Sequence, residues 1–185
     1  MKISILILLA LLFALVGCEK NNNDTSVEKF VPTDVLVKIK GYYTIDKVFD
    51  FINSFEHEVE NIHSQVYTSD LPSDSLRYVL DYLNAKPYTH DGNAWLVVGY
   101  QHYQTKVITI FPKFFNIKNA DFQKDWLESM EILKLNEQTE GETNGCIIYF
   151  HVPEGQEQLW VKRFENYEFV EWADVNHLID YQTWP

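Results

Sequence analysis

Cysteine thiols and histidine imidazoles are the side chains best able to do chemistry near neutral pH. This chain holds two cysteines and six histidines. Cys146 lies in Gly145-Cys146-Ile147-Ile148-Tyr149-Phe150, an apolar, strand-like run. A nucleophilic thiol needs a polar, accessible setting that lowers its pKa. The run offers none, so Cys146 reads as a small buried hydrophobe. His57 and His63 have Glu56, Glu58 and Glu60 beside them. Metal-binding pairs fall three or four apart on a helix and two apart on a strand, so the wider separation here suits charged residues at a helix end. His90-Asp91 has the composition of an acid–base pair, yet Asp91-Gly92 is turn chemistry. The sequence contains no Gly-rich phosphate loop, nucleophile elbow or zinc signature. No catalytic residue, metal ligand or cofactor site is assigned, and an enzyme built on scattered residues stands only as an alternative.

Aromatic residues are plentiful, with 12 Phe, 11 Tyr and 5 Trp. Most fall on the apolar faces of expected helices and strands. Three groups do not: Tyr42 and Tyr43 in a strand-to-helix turn; Tyr100, His102 and Tyr103 at a hairpin end; and Tyr181 and Trp184 in the C-terminal tail. An aromatic ring on a loop offers a large contact area at low entropic cost, which suits protein or glycan binding. These residues are the binding candidates, and the competing account folds their rings back over the domain.

The other cysteine, Cys18, closes an apolar run from Ile3 to Val16 that follows Met1 and Lys2. The run is shorter than the about 20 residues that a bilayer-spanning helix needs, and it has the form of a secretory h-region. Its end, Leu15-Val16-Gly17-Cys18, resembles the lipobox of bacterial lipoproteins. The resemblance implies cleavage after Gly17, a diacylglycerol on the Cys18 thiol and acylation of the new amine. Two or more acyl chains hold a protein stably to a membrane. Residues 1–17 are then a signal peptide. Residues 18–31 are the lipidated cysteine and a flexible tether, since Glu19 to Ser26 contains nothing apolar to offset ordering entropy. Glu19 is not the aspartate associated with inner-membrane retention, which favours the outer membrane, facing the periplasm or the cell surface.

With 27 acidic against 15 basic residues, the chain carries a net charge of −12. Phosphate backbones and anionic lipid headgroups should repel it, which argues against nucleic acid as a partner. The lipid on Cys18 must therefore do the anchoring.

The elements that position these residues read as an α+β domain. A strand over 35–40 leads to a helix that Thr44 can cap, with Ile45, Val48, Phe49 and Ile52 on one stripe. A strand over 59–68, a helix over 72–84 and a hairpin over 95–100 and 106–115 follow. Asn119 caps a third helix with Phe122, Trp126, Leu127 and Met130 as its apolar stripe. Strands over 131–136 and 146–152, a helix over 154–166 and a strand over 168–175 complete the order. From Lys106 onward the pattern is β-α-β-β-α-β, the split βαβ or ferredoxin-like order, and the first half repeats it with one strand unresolved. The expectation is two related ferredoxin-like units, 32–104 and 105–185, with helices packed on antiparallel sheet, and a single extended sheet is one way for the halves to join.

Val152-Pro153-Glu154-Gly155, Trp160, Phe164 and Phe169-Val170-Glu171-Trp172-Ala173-Asp174-Val175-Asn176 are similar to the last helix and strand of subtilisin-type propeptides and related inhibitors. The resemblance implies a ferredoxin-like unit that binds a protease through its sheet and places its tail in the cleft. The leading expectation is a lipid-anchored, non-enzymatic binding module for a protein or glycan. The alternatives are a propeptide-like inhibitor, an acidic immunity-type protein that neutralises a basic toxin, and the enzyme above.

Overall fold

Strand β1, Phe30–Ile39, shows how one sheet gains two different faces. Val35, Val37 and Ile39 alternate with Asp34, Leu36 and Lys38, and successive side chains of a strand point to opposite sides. The first set is buried beneath helices. In a computed structural model, which describes residues 29–93, 96–139 and 145–178, the chain continues through α1 (Ile45–Asn53), β2 (Glu58–His63), β3 (Tyr67–Ser69), a 3-10 turn (Ser73–Ser75) and α2 (Leu76–Asn84). Then come β4 (Val98–Gln101), β5 (Ile108–Phe111), β6 (Phe114–Phe115), α3 (Ala120–Ile132), β7 (Leu135–Glu137), β8 (Ile147–His151), α4 (Glu157–Phe164) and β9 (Val170–His177). The expected signal peptide and the tether up to residue 28 lie outside the described residues.

The fold is α+β, with two antiparallel sheets. The larger has the order β6-β2-β8-β1-β9 and the smaller β4-β5-β3-β7. Within the larger sheet, β1-α1-β2 and β8-α4-β9 are the two halves of a ferredoxin-like unit, and the neighbour order β2-β8-β1-β9 is that of the split βαβ plan. The strand pairing thus divides the chain differently from the expected boundary between 104 and 105. One ferredoxin-like sheet is built from the first and last parts of the described chain, and the middle supplies most of the second sheet. Both sheets take strands from either side of that boundary.

Two segments that read as single strands each break and cross between sheets. The run expected over 59–68 gives β2 to the larger sheet and β3 to the smaller, turning at Ser64, whose φ is 70°. The run 106–115 gives β5 to the smaller sheet and β6 to the larger, separated by Pro112 and Lys113. Proline has no N–H to donate to a ladder, so it interrupts pairing there.

Helix α1 follows its expected stripe. In α1, Ile45, Val48, Phe49 and Ile52 are buried, together with Phe51. Phe51 meets Phe150 of β8 and Phe164 of α4 edge-on, with centroids 5.9 and 6.0 Å away. In α3, Trp126 is buried beside Gln123 and Ser129, and Phe122 and Met130 are half-buried. Leu127, expected on the apolar stripe, is exposed because that face of the helix turns to solvent. Asn119 does cap α3, its side chain accepting from the Asp121 N–H at 2.9 Å. Thr44 holds the N-cap position of α1, but its hydroxyl turns to the Asp46 carboxylate. The Ile45 N–H is met instead by Glu137 of β7, at 2.9 and 3.0 Å. Further links tie the middle of the chain to α1. Asn53 and Gln123 exchange reciprocal amide bonds of 2.9 and 3.0 Å. Lys118 donates to the carbonyls of Phe55 and His57 at 2.6 and 2.8 Å.

Candidate functional site

Tyr42 and Tyr43 sit together after β1, their ring centroids 4.6 Å apart. Tyr42 is exposed, while Tyr43 turns inward against Phe169 at 5.6 Å. Tyr100 and Tyr103 are exposed near the tip of the β4–β5 hairpin. Tyr100 stacks on Phe111 of β5 at 6.0 Å, and Lys106 lies over the Tyr103 ring at 5.1 Å. His102 closes the turn, its Nδ1 accepting from the Thr105 N–H at 3.1 Å. The two aromatic pairs therefore belong to different sheets. Tyr181, Trp184, Gly17 and Cys18 lie outside the described residues.

The residues weighed for chemistry take structural roles in the geometry. Cys146 is buried, and burial pushes its thiol up to about 12. Asp91 accepts from the Asn93 N–H at 2.9 Å and His90 from the Gly92 N–H at 3.2 Å, closing a turn in which Gly92 has φ 81°. His57 stands edge-on to Trp160 at 4.1 Å, and His63 lies 5.5 Å from Tyr149. Burial holds both imidazoles below their ordinary pKa, with Lys118 and Arg163 adding to the effect at His57 and Lys113 and Lys38 at His63. Among the described residues no group of three or more His, Cys, Asp or Glu side chains is placed to hold a metal ion.

A surface that the sequence reading missed lies on the side of the larger sheet away from α1 and α4. Residues directly opposite each other in antiparallel strands share a face, so the register maps it. Lys38 stands between Ile147 and Trp172, and Leu36 between Tyr149 and Asp174. Asp34 faces His151, which faces Glu58, and Tyr149 faces Asn61, which faces Phe115. Leu36, Phe115, Ile147 and Tyr149 are half-buried, and Trp172 is 38% exposed. Asp34 and Lys38 are themselves buried within this face, each 7% exposed.

At one end of this face, polar groups converge. The Asp34 carboxylate is 3.0 Å from His151 Nδ1 and accepts from Asn176 Nδ2 at 3.0 Å. The other ring nitrogen of His151 lies 3.8 Å from Glu60. An oriented imidazole could accept a proton, but its outer nitrogen meets a carboxylate here rather than a hydroxyl or thiol. The arrangement presents hydrogen-bonding groups on a broad surface, flanked by aromatic and aliphatic side chains. Asp34 and His151 are 117 residues apart, and only strand alternation could have hinted that both face outward. No family model, curated protein or solved structure matches this chain.

Proposed function

We propose that the chain is a lipid-anchored envelope lipoprotein whose folded part is a non-enzymatic binding module for a protein or glycan. The observation that carries the binding reading is the outer face of the larger sheet. It combines the half-buried rings of Tyr149 and Phe115 and the exposed Trp172 with hydrogen-bonding side chains of both charge signs. Recognition surfaces characteristically pair aromatic anchors with a polar rim. Asp34, Glu58, Glu60 and Asp174 outnumber Lys38 and Lys113 on and beside this face, which favours a partner surface bearing basic groups and fits the immunity-type variant of the reading.

The anchoring part rests on the apolar run that ends in Gly17-Cys18. Among the described residues no helix is long and apolar enough to cross a membrane. Metabolic labelling with a fatty acid tests the anchor: Cys18→Ala should abolish incorporation, and equal label in variant and wild type would sink it. Crosslinking and pull-down from the native envelope tests the face. The pair Trp172→Ala and Asp174→Lys should lose a partner that the wild type captures, while Tyr103→Ala keeps it. Undiminished capture by the double variant would refute the assignment.

A further inference from the structure

On the opposite, helical side of the larger sheet is a pocket of about 260 Å³. Its walls are Ile39, Val48 and Phe51, with Tyr43, Tyr167 and Phe169. The volume is just below the range for small-molecule sites, about 300–1,000 Å³. Lys47 and Asp50 at its mouth neutralise each other at 3.3 Å. A second, open groove of about 400 Å³ adjoins it, lined by Phe55, Trp160, Arg163, Asn166 and Tyr167. Tyr167 lines both, its ring standing 5.3 Å from Phe51 of the pocket and 5.8 Å from Phe55 of the groove.

The two parts differ in chemistry. The pocket has hydrocarbon and aromatic walls. The groove holds a guanidinium. Arg163 lies over the Trp160 ring at 4.5 Å and makes no ion pair among the described residues. Nearby Lys118 is engaged by the carbonyls of Phe55 and His57. Arg163 is therefore the cation left for an incoming anion, in a chain whose net charge of −12 would otherwise repel one. Arginine holds carboxylates through paired N–H donors in a fixed plane.

We propose that this pocket and groove form a binding site for a free, single-chain amphiphile with a carboxylate head. The hydrocarbon lies in the pocket against Tyr43, Phe51 and Phe169, and the carboxylate crosses Tyr167 to Arg163. The site lies on the other side of the sheet from the docking face and does not depend on that reading. The test titrates the chain lacking residues 1–17, carrying Cys18→Ser, with three probes below their micellar concentrations. These are decanoate, decyl maltoside and decyltrimethylammonium. Calorimetry reads affinity, and the indole N–H resonance of Trp160 reads location. Decanoate should bind saturably at one site, shift that resonance and bind at least tenfold more tightly than the other two. Arg163→Gln should weaken decanoate about tenfold, Arg163→Lys should weaken it less, and both should keep the wild-type melting temperature. Equal affinity for the three probes would overturn the proposal. So would decanoate binding unchanged by Arg163→Gln, an unshifted Trp160 resonance, or binding seen only with vesicles of anionic phospholipid.

Discussion

Replacing Glu137 with alanine should loosen the first turn of α1, although 92 residues separate it from the group it serves. Both carboxylate oxygens accept from the Ile45 N–H, at 3.0 and 2.9 Å. The first N–H groups of a helix have no partner within it, and Thr44, at the N-cap, does not cap this end. Losing a side-chain cap costs about 0.5–2 kcal/mol, typically about 1. For a domain of this size, each kcal/mol lowers the melting temperature by about 2–4 °C. Glu137→Ala should therefore melt about 1–8 °C below wild type, typically about 2–4 °C. Glu137→Gln keeps an acceptor oxygen and should lose less. Burial raises the carboxyl pKa of Glu137, the Ile45 hydrogen bond opposes the shift, and the neighbouring Asp46 charge adds to the rise. With the net pKa raised, the folded state holds its proton more tightly than the unfolded chain. That contribution to stability is fully present below the ordinary glutamate pKa and is lost as pH rises through the raised one. The glutamine variant should lack this slope. Thermal unfolding followed by circular dichroism, at neutral pH and across the acid range, measures both effects. A Glu137→Ala protein that melts at the wild-type temperature, or a glutamine variant as unstable as alanine, would refute the cap.

Gly145 has φ 102°, and a Cβ there would stand 2.1 Å from the Ile39 carbonyl oxygen. Gly145→Ala should cost about 3 kcal/mol or more, by strain and by displacing β1, as urea denaturation would read; a wild-type midpoint would contradict it. Cys146→Ser should destabilise more than Cys146→Ala, by about 1–3 kcal/mol, because the hydroxyl is buried without an assured partner. The native thiol, pushed up to about 12, should resist bulky thiol reagents, and fast labelling would count against its burial. His57 and His63 have lowered pKa values in the fold, so the unfolded chain takes up protons first as pH falls. Their contribution to stability is present above the ordinary histidine value, near 6.5, and is lost as pH drops through the lowered ones. Substituting both with glutamine should flatten stability between neutral pH and pH 5; an unchanged slope would exclude them as its source.

Local patterns were readable because they depend on near neighbours in the chain. The buried stripe of α1, the Asn119 cap of α3 and the alternation of β1 are each set within a few residues. The α+β class and the antiparallel, ferredoxin-like character follow from the order of such patterns. Burial of Cys146 was equally legible, because its neighbours are apolar.

Strand partnership was not legible in the same way. Periodicity showed which side chains of β1 share a face but not that β8 and β9, more than a hundred residues away, would flank it. It showed strand-like segments over 59–68 and 106–115, but not that each divides between two sheets at Ser64 and at Pro112–Lys113. The outer face with Asp34, His151 and Asn176, and the pocket that joins Tyr43 to Phe169, exist only once those partners are chosen. Helix and strand periods reflect steric geometry repeated from one residue to the next, so any short window carries them. Pairing is decided by which arrangement buries the most apolar surface across the whole chain for the least loop-closure entropy, and no single window of this sequence contains both sides of that balance.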